Sequence, residues 1–207
     1  GNAAIADLAA ETWINIVVCL LFMLGATLVS YRDMQTTQKL QYFLVTFQVA
    51  VLLFFAISAI VQAVNGNAFD FMPFDWNWFN PFAVSSFGAV AAGLSLSIFI
   101  FWGWDVTLTM NEETKDPEKT PGRAATLTVI TIVSLYLLLA VAMIMFAGVG
   151  TGDLGLGNED IQSNAFFFLS GPILGPLAFL VSLAVLTSSA SSLQSTFVGP
   201  ARTLLAM

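Results

Sequence analysis

The chain has 207 residues, of which 57% are hydrophobic and only 9% are charged, and its formal net charge is −7. A soluble globular domain carries about 25% charged residues, so this composition excludes a water-exposed surface over most of the chain. The negative charge argues against a nucleic-acid partner and against a polybasic lipid anchor.

Five long apolar runs predict five membrane-spanning helices. Each run reaches the ~20 residues that cross a ~30 Å hydrocarbon core. Lipid supplies no hydrogen bonds to the backbone, and the alternation of a β-barrel strand is absent, so the runs are expected to be helical. The predicted class is an all-α membrane protein with spans at about 13–30, 40–64, 83–110, 124–149 and 166–188 or beyond.

The charges predict an orientation for these spans. All six basic residues fall in the second, fourth and sixth segments that flank the spans, and the other three segments contain none. Under the positive-inside rule the N-terminus is external and the C-terminus cytoplasmic, as in a multi-pass protein of the plasma membrane. The basic residues are Arg32, Lys39, Lys115, Lys119, Arg123 and Arg202.

The first long external loop is dense in aromatic residues between Phe69 and Pro81, just before the third span. Aromatic side chains in this position are typical of a belt at the membrane surface. A lid over an external vestibule is the alternative.

The second long external loop runs from Gly150 to Ala165, and its first six residues, Gly150 to Gly155, spell the dinucleotide-binding pattern G-x-G-x-x-G. The pattern binds phosphate only where it follows a strand and opens a helix. Here it follows a membrane span, so it predicts a flexible external turn.

The third span contains an ionisable residue, Asp105, two positions after Gly103. A carboxylate within a span costs a few kcal/mol unless it is protonated, paired or wetted. Gly103 lets the helix open locally and leaves backbone groups free to bind a ligand. The alternative is a tight helix crossing at Gly103, with Asp105 close enough to the cytoplasmic end to reach water.

The run from Phe101 to Asp105 and the following loop, residues 110–124, carry a resemblance to a known family. The loop resembles the E-E-x-K-N-P-x-x-x-P loop after the sixth helix of the amino acid-polyamine-organocation family. In that family an aromatic-x-Gly-aromatic-acid run precedes the loop at this same spacing, and Asp105 stands where many members have glutamate.

This resemblance implies that the five spans are helices four to eight of a ten-helix inverted-repeat, LeuT-like transporter fold. The chain would then be an excerpt that works with the missing helices of the same protein in the lipid bilayer. The implied activity is secondary transport of an amino acid or a polyamine-like amine, without a cofactor other than Na⁺ or H⁺ as coupling ion.

The resemblance also implies a substrate site on the third span, with Asp105 coupling protons or tying the opened helix to its neighbours. Aromatic side chains would line this site, and free backbone groups would bind the substrate's amino group. The implied substrate-binding residues are Phe99, Ile100, Phe101, Trp102, Gly103 and Trp104.

A run of hydroxyl residues in the last span includes Thr187 and Ser188. These two match a position where sodium symporters of this fold coordinate the ion with two successive hydroxyls. The second span has no lysine in its core, whereas proton-coupled relatives often carry one, which favours sodium or ion-free exchange. The alternative is that the hydroxyls bond carbonyls of their own helix or allow close helix approach.

Other classes of function remain as alternatives. A membrane-embedded enzyme should carry several convergent His, Cys, Asp or Glu residues within its spans, and only Asp105 is present, so none is expected to be catalytic or to bind a metal. A scaffold or receptor would not need the Gly-Asp break, and a channel lacks its filter segment here. A transporter of another LeuT-fold family is the nearest rival.

Overall fold

The computed structural model describes residues 11–32, 34–84, 86–100, 116 and 118–206. Helices and turns make up all of the regular structure in these ranges, and the predicted all-α class is confirmed. Short 3₁₀ turns lie at Trp76–Phe79, Pro81–Ala83 and Gly175–Ala178. The helices are α1 (Thr12–Arg32), α2 (Met34–Val64), α3 (Phe87–Ile100), α4 (Thr120–Ala147), α5 (Glu159–Ser163), α6 (Ala165–Leu174) and α7 (Phe179–Ala206).

Three helical stretches in the described part of the chain are long and apolar enough to cross a membrane: Gln38–Val64, Thr120–Ala147 and Ala165–Thr196. Two shorter apolar helices, Thr12–Leu28 and Phe87–Ile98, lie within the first and third predicted spans. Each predicted span therefore contains apolar helix. That all five cross the bilayer, with the orientation given above, stays a prediction.

The last predicted span is divided between two helices. α6 ends at Leu174, a 3₁₀ turn follows, and α7 begins at Phe179. Proline lacks the N–H that continues a helix, and Pro176 falls in this turn beside Gly175, whose φ of +56° favours glycine. The apolar run is continuous in sequence, but its backbone is not one regular helix.

A glutamine from α2 compensates for the interruption. Pro176 cannot donate to the carbonyl of Pro172 four residues earlier, so that carbonyl needs another donor. The Gln62 side chain supplies one: Nε2 donates to the carbonyl of Pro172 at 3.5 Å and also to the carbonyl of Ile173. α2 and α6 are joined at this point by a polar contact between otherwise apolar helices.

Residues 52–178 form one compact unit, the second unit. Phe55, Ala59 and Ala63 are buried and recur every fourth residue, so they share one face of α2. Small side chains on such a face let membrane helices approach closely. The ring of Phe55 meets that of Phe166 edge to face, with centroids 5.5 Å apart.

Residues 1–51 and 179–207 form the other compact unit, the first unit. Its described part consists of α1, the first half of α2, and α7. α1 packs against α7. The buried side chains of α7 include two apolar residues, Val181 and Ala184, and two polar ones, Ser191 and Gln194.

Candidate functional site

Three polar side chains of the first unit form a hydrogen-bonded cluster, which we call the amide cluster: Gln41 on α2 with Ser191 and Gln194 on α7. Gln41 Nε2 donates to the Ser191 carbonyl at 2.9 Å and to Gln194 Oε1 at 3.1 Å. The Ser191 hydroxyl donates to Gln41 Oε1 at 2.5 Å. The Gln41 amide thus uses both of its ends to hold α7.

In the described part of the first unit, two amide donors are buried without a hydrogen-bond partner. Gln194 is 2% exposed, and its Nε2 makes no hydrogen bond to a described residue. The Nε2 atom of Gln48, seven residues after Gln41 on α2, is also buried and has no hydrogen-bond partner among the described residues. An unpaired buried donor costs about 1–3 kcal/mol, and the hydrocarbon of a membrane offers it no water. These donors are therefore suited to an acceptor from a ligand or another polypeptide segment.

A cavity of about 360 Å³ lies beside the amide cluster, within the first unit. Among its described lining residues Gln194 is polar, and the small residues Gly25 and Ala26 belong to α1. The other lining residues are Leu21, Phe22, Leu40, Leu44 and Ala190.

The predicted sodium ligands lie on α7, in the turn before Ser191. Thr187 is partly buried, and its hydroxyl donates to the Ala184 carbonyl at 2.9 Å, which leaves the oxygen lone pairs to accept or coordinate. Ser188 is exposed. Sodium binding at these residues stays a prediction.

Other hydroxyls of the run bond their own helix. Ser189 donates to the Val185 carbonyl at 3.1 Å, and Thr196 donates to the Ser192 carbonyl at 2.7 Å. This is the ordinary behaviour of serine and threonine within a helix. Ser191 differs because its hydroxyl leaves α7 to reach Gln41.

The predicted substrate site falls mostly outside the described residues. Phe101, Trp102, Gly103, Trp104 and Asp105 lie there, so their mutual geometry stays a prediction. The backbone of Phe99 and Ile100 forms the last turn of α3, which is helical from Phe87 onward.

In the turn after α4, close packing accounts for glycine at Gly148 and at Gly155. Leu156 N–H donates to the Gly148 carbonyl at 3.1 Å, and Gly157 N–H donates to the Gly150 carbonyl at 2.9 Å, so the turn folds back on itself. A Cβ on Gly155 would collide with the Gly150 carbonyl. Gly148 has a φ of +66°, and a Cβ there would lie 2.9 Å from Cγ of Asp70. The G-x-G-x-x-G pattern follows α4 without a strand, so the context of a phosphate cradle is absent.

The amide cluster was not among the sequence-predicted sites. Its signal is present in the sequence: Gln41, Gln48 and Gln62 recur at multiples of seven residues within an apolar run. That spacing returns to nearly the same helix face. Uncharged amides give a weaker signal than Asp105, because they cost less to bury than a carboxylate.

Long apolar helices that bury uncharged polar side chains define the class as a multi-pass α-helical membrane protein. A family model described as "Amino acid permease" matches residues 2–207, and the chain belongs to this family. It is therefore an amino-acid transporter of the amino acid-polyamine-organocation type, and this family is a transporter family, not normally an enzyme family. No curated protein and no solved structure matches the chain.

Proposed function

We propose that the protein carries out secondary active transport of an amino acid or a related amine across the plasma membrane by alternating access. The observation that carries this proposal is the family match over residues 2–207. Within the matched range lie Gly103 and Asp105, where a helix break is predicted, and the hydroxyls of α7. In this proposal the helices belong to a ten-helix inverted-repeat core.

The proposed substrate site is the end of the third span. Free backbone groups between Ile100 and Gly103 would receive the substrate's amino group. Phe99 or Trp102 would close over the substrate as a gate. Asp105 would couple protons or tie the opened helix to its neighbours, since a carboxylate at this depth needs such a partner.

Transport of labelled amino acids into proteoliposomes tests this site. We expect the intact protein to take up substrate and the Asp105→Asn and Gly103→Leu variants to lose most of the uptake, because the first lacks the carboxylate and the second closes the helix break. Asp153→Asn, a change in an exposed external turn, is the matched control and should keep wild-type uptake.

Unchanged uptake in both variants would refute the site assignment. No uptake of any amino acid or amine by the wild-type protein would refute transport and favour a scaffold or receptor.

The coupling ion proposed is Na⁺, held in part by Thr187 and Ser188. The support is chemical: Thr187 keeps its oxygen lone pairs available, and Na⁺ is a hard cation that prefers hydroxyl and carbonyl oxygens. Ion-free exchange and proton coupling are the competing modes.

Sodium dependence of uptake distinguishes these modes. We expect uptake to require Na⁺, and Thr187→Val to raise the Na⁺ concentration for half-maximal uptake by about tenfold, equivalent to ~1.4 kcal/mol of lost binding. Ser189→Ala is the control, because its hydroxyl is exposed and bonds the Val185 carbonyl. Uptake driven by a proton gradient, and unaffected when choline replaces Na⁺, would overturn the sodium assignment.

A further inference from the structure

The loop between α2 and α3 is fixed at its beginning to the C-terminal end of α4, which is the predicted external end. Phe69 and Asp70 N–H groups donate to the Phe146 carbonyl at 3.0 and 3.2 Å, and Met72 N–H donates to the Met145 carbonyl at 3.4 Å. These carbonyls belong to the last turn of α4.

The composition of α4 indicates how deep its C-terminal end lies in the membrane. Its 28 residues extend about 42 Å, longer than a ~30 Å hydrocarbon core. The excess length lies at the N-terminal end of α4, where residues Thr120 to Arg123 include a threonine and an arginine. The last ten residues of α4 are all apolar. The helix therefore leaves the hydrocarbon close to Ala147, and Phe69–Met72 lie at the membrane surface.

The other end of the loop reaches a second apolar helix. Ser86 caps the N-terminus of α3: its hydroxyl oxygen accepts from Ala89 N–H at 3.2 Å and its carbonyl oxygen accepts from Val90 N–H at 3.4 Å. The helix is apolar from Phe87 onward. Residues 73–84 follow the contact with α4, and Ser86 caps α3, so this connection starts and finishes at the ends of apolar helices. We therefore infer that residues 73–84 run along the membrane surface between those ends.

Between Phe74 and Ala83 the chain of this connection is held by its own contacts. Asp75 accepts from the Asn77 N–H at 2.9 Å, and Asn80 Oδ1 accepts from the Phe82 N–H at 3.0 Å, so each caps a 3₁₀ turn. The ring of Phe74 lies 5.1 Å from that of Trp76 and 5.7 Å from that of Trp78, centroid to centroid. Together these contacts hold an aromatic cluster in a defined position.

Three large aromatic side chains of this segment are nevertheless exposed on the surface of the second unit. Trp76 is 79% exposed, Phe82 93% and Phe87 86%. Such rings are favourable in the headgroup layer, where Trp is enriched. No Lys or Arg occurs between residues 65 and 87, which contain two carboxylates, Asp70 and Asp75. Anionic headgroups would gain no attraction here.

We propose that residues 69–84, together with Phe87, form a membrane-surface anchor, in which Trp76, Phe82 and Phe87 insert into the outer headgroup layer of zwitterionic lipid. The anchor fixes the external ends of α3 and α4 at a common depth. Its occupant is lipid, so it does not depend on the transport activity proposed above.

Spin labelling in nanodiscs tests the anchor. The intact protein is prepared with Cys19→Ser to remove its single cysteine, and single cysteines are introduced as Trp76→Cys or Phe82→Cys. In phosphatidylcholine nanodiscs we expect oxygen, which dissolves in lipid, to relax both labels more than a water-soluble nickel chelate does. Asn67→Cys, in the exposed turn before the anchor, serves as the aqueous control, and Ile98→Cys, exposed on α3, as the hydrocarbon control.

Nickel access at positions 76 and 82 equal to that at Asn67 would place the segment in water and overturn the proposal. Exclusion of both reagents would also overturn it, because the rings would then be covered by protein, as in a lid over the vestibule. Anionic phosphatidylglycerol nanodiscs should leave the oxygen access unchanged or lower, and a rise would refute the zwitterionic preference. All four positions are exposed, and two anchor positions are probed, so the misfolding of one variant leaves the test intact.

Discussion

Replacing Gly155 by alanine is expected to lower the apparent melting temperature of the detergent-solubilised protein by about 5–15 °C, which corresponds to roughly 2–4 kcal/mol. The new Cβ would collide with the Gly150 carbonyl and would lie 2.8 Å from the Gly150 carbonyl carbon. These are backbone atoms, so no rotamer change relieves the clash. The turn has to open, and the hydrogen bond from Gly157 N–H to the Gly150 carbonyl is strained with it.

The same motif supplies the control. A Cβ on Gly152 would meet the ring of Phe69 at 3.5 Å, an ordinary van der Waals contact, and the change to alanine should shift the melting temperature little. Scanning fluorimetry on the tryptophans measures both variants. Equal melting temperatures for Gly155→Ala and wild type would show that the turn has no close packing at Gly155.

The fold class could be predicted from the sequence because lipid leaves the backbone few options. An uninterrupted apolar run of about 20 residues must bond its own backbone, and a helix is how a single run does so. The division between α6 and α7 was not predicted, because proline and glycine are tolerated in membrane helices when a neighbour satisfies the freed groups. That neighbour is Gln62, and its contact with the Pro172 carbonyl joins residues 110 positions apart.

The G-x-G-x-x-G pattern does not by itself explain why glycine occurs in the turn after α4. Gly150, Gly152 and Gly155 match a phosphate-binding spacing, and the sequence context alone was enough to reject that function. Of the three, Gly155 has a packing reason to be glycine, and this reason lies in the tertiary structure: a Cβ there would collide with the Gly150 carbonyl, which the turn brings back. A flexible turn was expected, and a hydrogen-bonded one is found.

The sequence predicts a site residue only where the free-energy cost of burying its side chain in a membrane is high. Asp105 stands out for this reason. A glutamine is cheaper to bury and is often satisfied by its own surroundings, so the amide cluster depends on which helix faces Gln41. The pairing of Gln41 with Ser191, 150 positions away, is a property of the packed helices and not of either segment alone.

Replacing Gln41 by methionine is expected to destabilise the protein by about 1–3 kcal/mol, because several hydrogen bonds of ~0.6–1.7 kcal/mol each are lost and a buried partner is left unsatisfied. Methionine has nearly the same shape but neither donates nor accepts strongly. The change removes both donors of the Gln41 amide and the acceptor of the Ser191 hydroxyl. Gln194 Oε1 then loses its partner while buried, and its Nε2 already has none.

Gln194→Met distinguishes a specific cluster from a general need for polarity. This variant loses one hydrogen bond but also removes the buried Nε2 that lacks a partner, so its net cost should be about 0–1 kcal/mol. Thermal unfolding in matched lipid bicelles gives the two values. A larger loss for Gln194→Met than for Gln41→Met would mean that Nε2 of Gln194 binds an acceptor in the intact protein. In that case the cavity beside Gln194, and not the link between α2 and α7, is the part of the amide cluster that stability depends on.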